Sequence, residues 1–413
     1  MSKDGWKHVA LGATVFVLGA LAFGLTVTTY DEDNALVAKS AATGRKARLA
    51  RGTGLKLVPL RWDRDEGAFM ISLHVGAGTE PVEFVLDSGS GSLSAKGPGC
   101  KWTSCGETGQ DVCTTQACPC KEDKTGKRCS RYVPQGRKLR PGESGAGTDT
   151  VVAFGSQEDT VTHFLEDVHM PHATAESCQV ALRGGNLQVN AKHLMSGVVV
   201  HQVHAIKGTS TSNIMGLSLP APGNTQVVVS RLTDVFSLVL FDTTGWFALQ
   251  SMEACFPQTQ FMKLVWPREF SSFMTRFYVV PLQKLEVVNG NQAIAVSRCP
   301  KFVVFDTGTT CCYTEPALGE HMRQTCSYSP QSSGLIFTLQ GQSGPVVLDY
   351  TASELRDPDN PSLSSFNCEP DTTLPDYHDI FGNTSVVLFG AVPMRNRYWE
   401  YDLSKKRLGV HKL

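Results

Sequence analysis

The sequence has no excess of charge of either sign, because 38 Lys and Arg residues are balanced by 39 Asp and Glu residues, for a formal net charge of −1. A chain without a basic excess has no electrostatic footprint for nucleic acid, so we expect no partner of that class. Nothing in the chain resembles a phosphate-binding loop or a dinucleotide-binding fingerprint, and no cofactor is expected. Long helical periodicities are also few, which argues against a helical architecture.

Short runs rich in β-branched and aromatic residues fill most of the chain instead. Gly, Pro, Asn and Asp separate these runs, which is the pattern of strands joined by turns. Residues 287–294, for example, place Asn289 and Gly290 between two such runs, and this dipeptide favours the tight turn of a β-hairpin. The sequence therefore predicts a mainly β protein.

One motif occurs twice. Residues 84–90 (FVLDSGS) and residues 303–309 (VVFDTGT) each consist of an apolar run, an Asp, a hydroxyl residue, a Gly and a second hydroxyl residue. A single copy would be interpreted as a turn, since Asp, Ser and Gly are common in turns. Two copies, each at the end of a strand-like run, instead predict two similar halves that bring Asp87 and Asp306 together.

A pair of neighbouring carboxyl groups is suited to the hydrolysis of a peptide bond. Because adjacent like charges do not both ionise readily, such a pair shares one proton and titrates as a coupled unit. One carboxylate can then activate water while the other group protonates the carbonyl oxygen or the leaving amine. The repeated motif thus predicts acid–base chemistry at Asp87 and Asp306.

The two motifs resemble the D-[TS]-G-[ST] signatures of the pepsin-like aspartic peptidases. Each half of those enzymes also has a hydrophobic-hydrophobic-Gly segment beside its catalytic loop, and residues 214–217 (IMGL) and 388–391 (LFGA) match it. The resemblance extends over residues 55–413. It implies a bilobal fold of two similar β lobes, 55–242 and 243–413, with the active-site cleft between them.

The resemblance also implies a role for each residue of the two motifs. Gly89 and Gly308 allow tight turns, so that substrate and the second carboxyl group approach the backbone. Ser88 and Thr307 are expected to brace the two loops against each other. Ser90 and Thr309 are expected to hydrogen-bond the catalytic carboxylates.

The activity implied by the resemblance is that of an aspartic endopeptidase acting on peptides or proteins, as a monomer and without a metal. Because fold does not dictate function, a non-catalytic binding or inhibitor protein on the same fold is the alternative. The presence of both Asp residues, both Gly residues and all four hydroxyl residues favours catalysis. The near-zero net charge differs from that of the strongly acidic gastric enzymes and suggests work nearer neutral pH.

The sequence departs from the family pattern at the flap, the hairpin that covers the cleft. Residues 142–151 match its outgoing arm, but the incoming arm, residues 135–140, lacks the Tyr that the family places there. Tyr132 is the nearest tyrosine and is interpreted either as a displaced flap residue or as a structural one. A missing flap Tyr would alter substrate contacts without removing the carboxyl pair.

Cysteine is concentrated in one insert. Six of the 13 cysteines fall within residues 100–129, in the half that is longer than the other. In a chain that enters the secretory route they predict disulfides, with a zinc site as the alternative. The resemblance implies two particular bonds, Cys100–Cys105 in the first half and Cys326–Cys368 in the second. Because the total is odd, at least one cysteine is free or pairs with another chain.

The N-terminus carries a long apolar run. Residues 9–27 contain no charged side chain and are long enough to span a bilayer. Basic side chains in residues 1–8 precede the run and acidic residues 31–33 follow it, which favours a cytoplasmic N-terminus and a lumenal or extracellular enzyme. The two interpretations are a type II signal anchor and a cleaved signal peptide that yields a secreted enzyme. Residues 28–54 are then a linker or a propeptide remnant, and Asn383 is a candidate glycosylation site.

Overall fold

The computed structural model describes most of the chain from Gly54 onward. The described residues are 54–76, 80–105, 113–118, 131–140, 143, 150–154, 157–178, 187–207, 213–219, 228–266, 276–356, 381 and 384–413. They belong to one compact unit, Gly54–Leu413, which includes both predicted lobes. The predicted segments 1–8 and 9–27, and all of 28–54 except Gly54, lie outside the described residues. Their topology and the lobe boundary at residue 242 stay predictions.

Strands dominate the described residues, which confirms the mainly β prediction. The strands of the first half are β1 Leu55–Asp63, β2 Ala68–Val75, β3 Val82–Asp87, β4 Leu93–Cys105, β5 Cys113–Ala117, β6 Arg137–Lys138, β7 Thr150–Phe154, β8 Gln157–Ala175, β9 Ala191–Lys207, β10 Ile214–Gly216, β11 Val235–Leu240 and β12 Thr244–Ala248. The strands of the second half are β13 Gln260–Lys263, β14 Tyr278–Asn289, β15 Gln292–Ala295, β16 Phe302–Phe305, β17 Gly334–Gln340, β18 Pro345–Tyr350, β19 Val386–Phe389, β20 Arg397–Asp402 and β21 Arg407–Lys412.

Helices are short in the part of the chain that the structure describes. They are α1 Val228–Arg231, α2 Pro316–Cys326 and α3 Ala391–Met394, with a 3₁₀ turn at Glu253–Cys255. Proline opens α2, where its fixed φ suits the first turn, and Ser327 closes the helix in the left-handed conformation with φ 53°. No helix among the described residues has the length and apolar character needed to cross a membrane.

The strands form two sheets. The large sheet has the order β13-β21-β20-β11-β12-β1-β2-β3-β10-β4-β9-β8-β6, with β5 added on β4 and β7 on β8. The small sheet has the order β18-β17-β14-β16-β19, with β15 added on β14. The final strands, β20 and β21, therefore join the large sheet through β11, so strands from both ends of the unit belong to one sheet.

Burial along the strands explains their sequence patterns. In β18 every second residue is buried, as expected for a strand with one face on the core. In β20 all six residues are buried because both faces are covered. Trp399 and Tyr401 point into the main core, whereas Tyr398 packs on Phe256 on the opposite face. Complete burial of one such aromatic side chain stabilises the fold by about 1.5–3 kcal/mol, so β20 is held firmly between the cores on its two faces.

The two halves repeat one local arrangement around the Asp motifs. In the first half β3 pairs in parallel with β10, which places Gly216 beside Asp87. In the second half β16 pairs in parallel with β19, which places Phe305 beside Phe389, just before Asp306 and Gly390. Both hydrophobic-hydrophobic-Gly segments thus lie next to the loop that the sequence predicts for them, and this prediction is confirmed.

The pairing predicted for Cys100 is wrong. Cys100 bonds Cys118, with the two Cα atoms 5.3 Å apart, and not Cys105. Cys100 and Cys105 both belong to β4, where five extended residues separate their Cα atoms by about 16 Å, beyond the reach of a disulfide. The neighbouring strand β5 runs antiparallel to β4 and ends where Cys118 faces Cys100, while Cys105 lies opposite Cys113 in the same ladder.

The remaining described cysteines also depart from the expected pairs. Cys178 bonds Cys255, a link over 77 residues that the sequence did not indicate. Cys326 ends α2 as a buried thiol, so the structure does not contain the bond that the resemblance implies to Cys368, which itself lies outside the described residues. The other described thiols that form no disulfide are Cys299, Cys311 and Cys312. One disulfide, Cys100–Cys118, is nevertheless present in the Cys-rich insert, in agreement with the general prediction.

Candidate active site

Asp87 and Asp306 occupy equivalent positions in the two halves. Asp87 is the last residue of β3, and Asp306 directly follows β16. The apolar residues of both strands are buried, except for the half-buried Phe302 at the start of β16, so the end of each strand is fixed in the core. A buried strand that ends in a turn of Asp, hydroxyl residue and Gly presents the carboxyl group at the edge of the sheet.

The two motif glycines show how closely the loops approach each other. A Cβ atom built on Gly89 would lie 2.6 Å from the carboxyl atoms of Asp306, and a Cβ on Gly308 would run into the carboxyl group of Asp87. Each carboxyl group therefore packs against the glycine of the opposite motif. Only a residue without a side chain permits this approach, so the prediction for both glycines is confirmed.

A reciprocal set of hydrogen bonds joins the two loops. The Ser88 backbone N–H donates to Thr307 Oγ1 at 2.9 Å, and the Thr307 backbone N–H donates to Ser88 Oγ at 2.9 Å. Each hydroxyl group also donates to a carbonyl oxygen of the opposite strand: Ser88 Oγ to Phe305 at 3.1 Å and Thr307 Oγ1 to Leu86 at 2.7 Å. The brace predicted from the resemblance is present, and it is fully buried.

Hydrogen bonds within each motif orient the carboxyl groups. The Gly89 N–H donates to Asp87 Oδ1 at 2.8 Å, and the Gly308 N–H donates to Asp306 Oδ1 at 2.9 Å. Thr309 Oγ1 adds a bond to Asp306 Oδ2 at 2.8 Å, as predicted. Both oxygens of Asp306 are therefore held by its own loop.

Ser90 does not match Thr309 in this respect. It lies near enough to Asp87 to act on its pKa in the lowering direction, but its Oγ has no described atom in regular hydrogen-bond geometry. The two loops share their backbone hydrogen bonds and the brace. They differ in the last hydroxyl residue, because only Thr309 makes a regular hydrogen bond to the carboxyl group of its own motif.

The pKa of Asp87 is raised well above its ordinary value. Burial is the largest cause, because the charged form loses its hydration; the negative charge of Asp306 and a hydrogen bond with that residue raise the pKa further. The hydrogen bond from the Gly89 N–H and the nearby Ser90 hydroxyl group lower the pKa, but these effects are weaker. Burial and the neighbouring carboxyl group therefore both favour the protonated form of Asp87.

The hydrophobic-hydrophobic-Gly segments hold the loops from behind. The Leu217 N–H donates to the Asp87 carbonyl oxygen at 2.7 Å, and the Asp306 N–H donates to the Phe389 carbonyl oxygen at 3.0 Å. Gly216 and Gly390 lie so close to the loop backbones that a Cβ on either would clash with backbone atoms. The backbone of each Asp loop is therefore fixed independently of its side chains.

Tyr132 is not a flap residue. It is 1 % exposed, and its hydroxyl group donates to Glu166 Oε1 at 2.7 Å. The backbone N–H groups of Gln135 and Gly136 donate to the same carboxylate oxygen. Because Glu166 is buried, it needs these donors, and Tyr132 is committed to them inside the first half. Of the two interpretations from the sequence, the structural one holds.

One buried residue near the carboxyl pair had no role in the sequence interpretation. Tyr401, in β20, is fully buried, and its phenol interacts with Ser88 and Asp306. The sequence predicts a strand at this residue. Nothing in it indicates that the strand lies near Ser88, which is 313 positions earlier in the chain. Only the fold brings this strand close to Ser88 and Asp306.

The structure describes no further site. Among the described residues, no group of three or more His, Cys, Asp or Glu side chains is arranged to hold a metal ion. Asn383 lies outside the described residues. Searches against models of known protein families and against curated protein sequences found no match. The functional assignment therefore depends on the motifs and on the geometry given above.

Proposed function

We propose that the protein is an aspartic endopeptidase that hydrolyses peptide bonds with a water molecule activated between Asp87 and Asp306. The observation that carries the proposal is the crosswise contact of the two motifs, in which each carboxyl group packs on the opposite glycine. A turn sequence alone does not require two loops so far apart in the chain to share a reciprocal set of buried hydrogen bonds.

The carboxyl pair has the two forms that the reaction needs. Asp306 accepts a proton from water, and the resulting hydroxyl group bonds to the carbonyl carbon of the substrate, while Asp87 gives its proton to the carbonyl oxygen. When the C–N bond of the tetrahedral diol breaks, Asp306 passes its proton to the amine and a diol hydroxyl returns a proton to Asp87. The pair ends in its starting state, and the products are an acid and an amine.

The wider architecture belongs to the same proposal. Two pepsin-like lobes, 55–242 and 243–413, would present the loops at the base of a cleft that takes an extended peptide. Such an enzyme would act on peptides or proteins as a monomer, without a cofactor. With residues 9–27 as a signal anchor it would work on the lumenal or extracellular side of a membrane, or as a secreted enzyme if that segment is cleaved.

A non-catalytic binding protein on the same fold is the second candidate. The observation that favours it is the burial of Tyr132, which leaves the flap without its expected tyrosine. Loss of a flap contact would weaken the hold on a substrate but would not remove the acid and the base. Because both carboxyl groups retain their oriented hydrogen bonds, we favour catalysis.

Incubation of the purified full-length protein with a mixed peptide library, over a range of pH, tests the proposal. We expect new peptide termini, detected by mass spectrometry, and their suppression by pepstatin, which binds paired catalytic carboxyl groups. Binding of peptides without any cleavage would favour the second candidate. Cleavage that a serine- or metalloprotease inhibitor abolishes, and pepstatin does not, would contradict the assignment to the Asp pair.

A further inference from the structure

The turn between β1 and β2 lies against the chain that follows Asp306. A Cβ atom built on Gly67, in this turn, would lie 2.5 Å from side-chain atoms of Thr310. Gly67 has φ +60°, and its N–H donates to the Asp63 carbonyl oxygen at 2.8 Å, so hydrogen bonding fixes the shape of the turn. This hairpin of the first half therefore contacts the second half just after the second motif.

Arg395 makes another contact between the same hairpin and the second half. Its guanidinium carbon lies over the indole ring of Trp62, 5.2 Å from the ring centroid. The guanidinium group also donates from Nε to the Val392 carbonyl oxygen at 3.2 Å and from Nη2 to the Arg356 carbonyl oxygen at 2.6 Å. Both Trp62 and Arg395 are almost fully buried, and a cation over an aromatic ring is attracted more strongly where water is excluded.

Helix α3 connects Arg395 to the second Asp loop. The first two backbone N–H groups of this helix donate to the carbonyl oxygens of Thr309 and Thr310, at 2.7 and 3.0 Å. Thr309 is also the residue whose hydroxyl group bonds Asp306. All four residues of α3 are buried. Arg395 therefore follows a short, packed helix whose first residues hold the loop of Asp306.

These contacts form a closed ring. From Trp62 the ring passes through Arg395 and α3 to Thr310, and from Thr310 it returns to the β1–β2 hairpin at Gly67. The hairpin continues along β2, which pairs with β3, the strand that ends in Asp87. The ring therefore connects the supports of both carboxyl groups, in addition to the brace between the two motifs.

We propose that Arg395 is a positioning residue for the catalytic pair: it holds the β1–β2 hairpin against α3 and so fixes Asp306 relative to Asp87. This inference rests on the proposed function for its effect on catalysis, whereas the contact between Arg395 and Trp62 does not depend on that function. A planar guanidinium group suits this role, since it stacks on a ring while its N–H groups reach acceptors at its edge. Lysine would keep the charge and lose this combination.

Conservative substitution of Arg395 in the full-length protein tests the proposal. Arg395→Lys is expected to lower kcat about fivefold, the effect of a weakened cation–π contact, with KM unchanged, because a displaced Asp306 impairs the acid–base step rather than peptide binding. The pH profile of kcat/KM should also become narrower. Carboxyl groups that lie farther apart interact less, so their two apparent pKa values come closer together. Kinetics on a peptide found in the library measure both effects.

Arg397→Lys is the matched control. Arg397 is also a buried arginine over an aromatic ring, 4.4 Å from the ring centroid of Tyr350, and it donates to the Asp349 carbonyl oxygen at 2.8 Å. The described contacts of its guanidinium group join β20 to β18 within the second half. This variant should lower Tm about as much as Arg395→Lys does, but it should leave kcat and the width of the pH profile unchanged.

A double-mutant cycle tests whether Arg395 acts through Trp62. Trp62→Leu removes the ring that the guanidinium group covers. If the two side chains act together, the loss of kcat in the double variant is smaller than the product of the two single losses, and the loss of Tm is smaller than their sum.

The other end of the ring can be disturbed independently. Gly67→Ala places a methyl group against the Thr310 side chain and should narrow the pH profile as Arg395→Lys does. Gly290→Ala is its control, because Gly290 lies in another hairpin turn with a similar φ of +58° and has nothing within 4 Å of an added Cβ. The control bears the same backbone strain, so any difference between the two variants comes from the contact with Thr310.

Two outcomes would overturn the inference. Arg395→Lys with a lower Tm but with unchanged kcat and pH profile would show that the arginine has only a structural role. Independent effects of Trp62→Leu and Arg395→Lys would show that the guanidinium group does not act through the indole.

A protein without peptidase activity still permits a decision. Folding favours the protonated form of Asp87, so the gain in Tm that Asp87→Asn gives at neutral pH measures the environment of the carboxyl pair. This gain should be smaller when Arg395→Lys is also present, and an equal gain would contradict the inference. Failure of the inference is thereby distinguished from failure of the proposed function.

Discussion

Asp87 and Asp306 end the same motif in two different environments. Asp87 is 8 % exposed, whereas Asp306 is only partly buried and has both carboxyl oxygens bonded within its own loop. Ser90, the counterpart of Thr309, makes no regular bond to Asp87. The repeated sequence gives the two carboxyl groups the same backbone surroundings. The two groups still differ in burial and in the hydrogen bond from the last hydroxyl residue of each motif. An acid–base pair requires that inequality, since one member must hold a proton that the other lacks.

The strongest test of the comparison removes one acid at a time. Asp87→Asn and Asp306→Asn should each reduce kcat by about 10³-fold or more, because residues that act as one unit do not substitute for each other. Cleavage of a peptide found in the library measures this. Asp349→Asn, at a side chain that is 62 % exposed on the surface, is the matched control and should keep full activity. Near-normal turnover by either active-site variant would refute the pair.

The second test addresses the close approach of the loops. Gly89→Ala should reduce kcat about 100-fold, because its methyl group would displace the Asp306 carboxyl group from which it would lie 2.6 Å away, and even a 1 Å misplacement is costly to catalysis. Gly308→Ala should act similarly on Asp87. Gly290→Asn is the control, since that glycine has φ +58°, which asparagine tolerates, and open space around it. Active Gly89→Ala enzyme would mean that the loops are farther apart than described.

The third test compares the two last hydroxyl residues directly. Thr309→Ala should lower kcat about tenfold, the effect of one lost bond to a charged group, while Ser90→Ala should lower it less. Thr309→Ser keeps the hydroxyl group and should retain most of the activity. Equal effects of the two Ala variants would show that Ser90 bonds Asp87 as Thr309 bonds Asp306, and the inequality would then lie in burial alone.

The smallest effect concerns stability and pH. The pKa of Asp87 is raised in the folded protein above its ordinary value of 3.8, so the protonated form is favoured by folding. Its contribution to stability is fully present below pH 3.8 and is lost as the pH rises through the folded-state pKa. Asp87→Asn, which stays neutral, should therefore raise Tm at neutral pH by a few degrees and give little advantage near pH 3.8. Thermal unfolding of both proteins across this range measures the difference, and a constant gap would contradict the assignment.

The sequence was sufficient for those parts of the site that are local. A strand, a turn and a carboxyl group are encoded within seven residues, so both motifs, their glycines and their hydroxyl residues could be assigned before the fold. The segments ending at Gly216 and Gly390 were also found, because each carries its own short pattern. The brace between Ser88 and Thr307 came from the resemblance, and its geometry is as expected.

What the sequence did not predict depends on the order of strands. Cys100 meets Cys118 only because β5 folds back on β4, and Cys178 meets Cys255 across 77 residues. The burial of Tyr132 depends on Glu166, which lies 34 residues away and shows no pattern of its own. Tyr401 comes near Ser88 and Asp306 only through the fold, since β20 pairs with β11 and β21 in the large sheet. None of these contacts leaves a periodicity or a motif in the chain.

The brace between Ser88 and Thr307 also has a consequence for how the protein is made. It closes a loop of 219 residues, whose entropy opposes closure by about 5 kcal/mol before any contact compensates for it. A folding intermediate with only one half formed has a single carboxyl group and no partner for it. Under the proposed function such an intermediate could not cleave peptides, and activity would report the completion of folding.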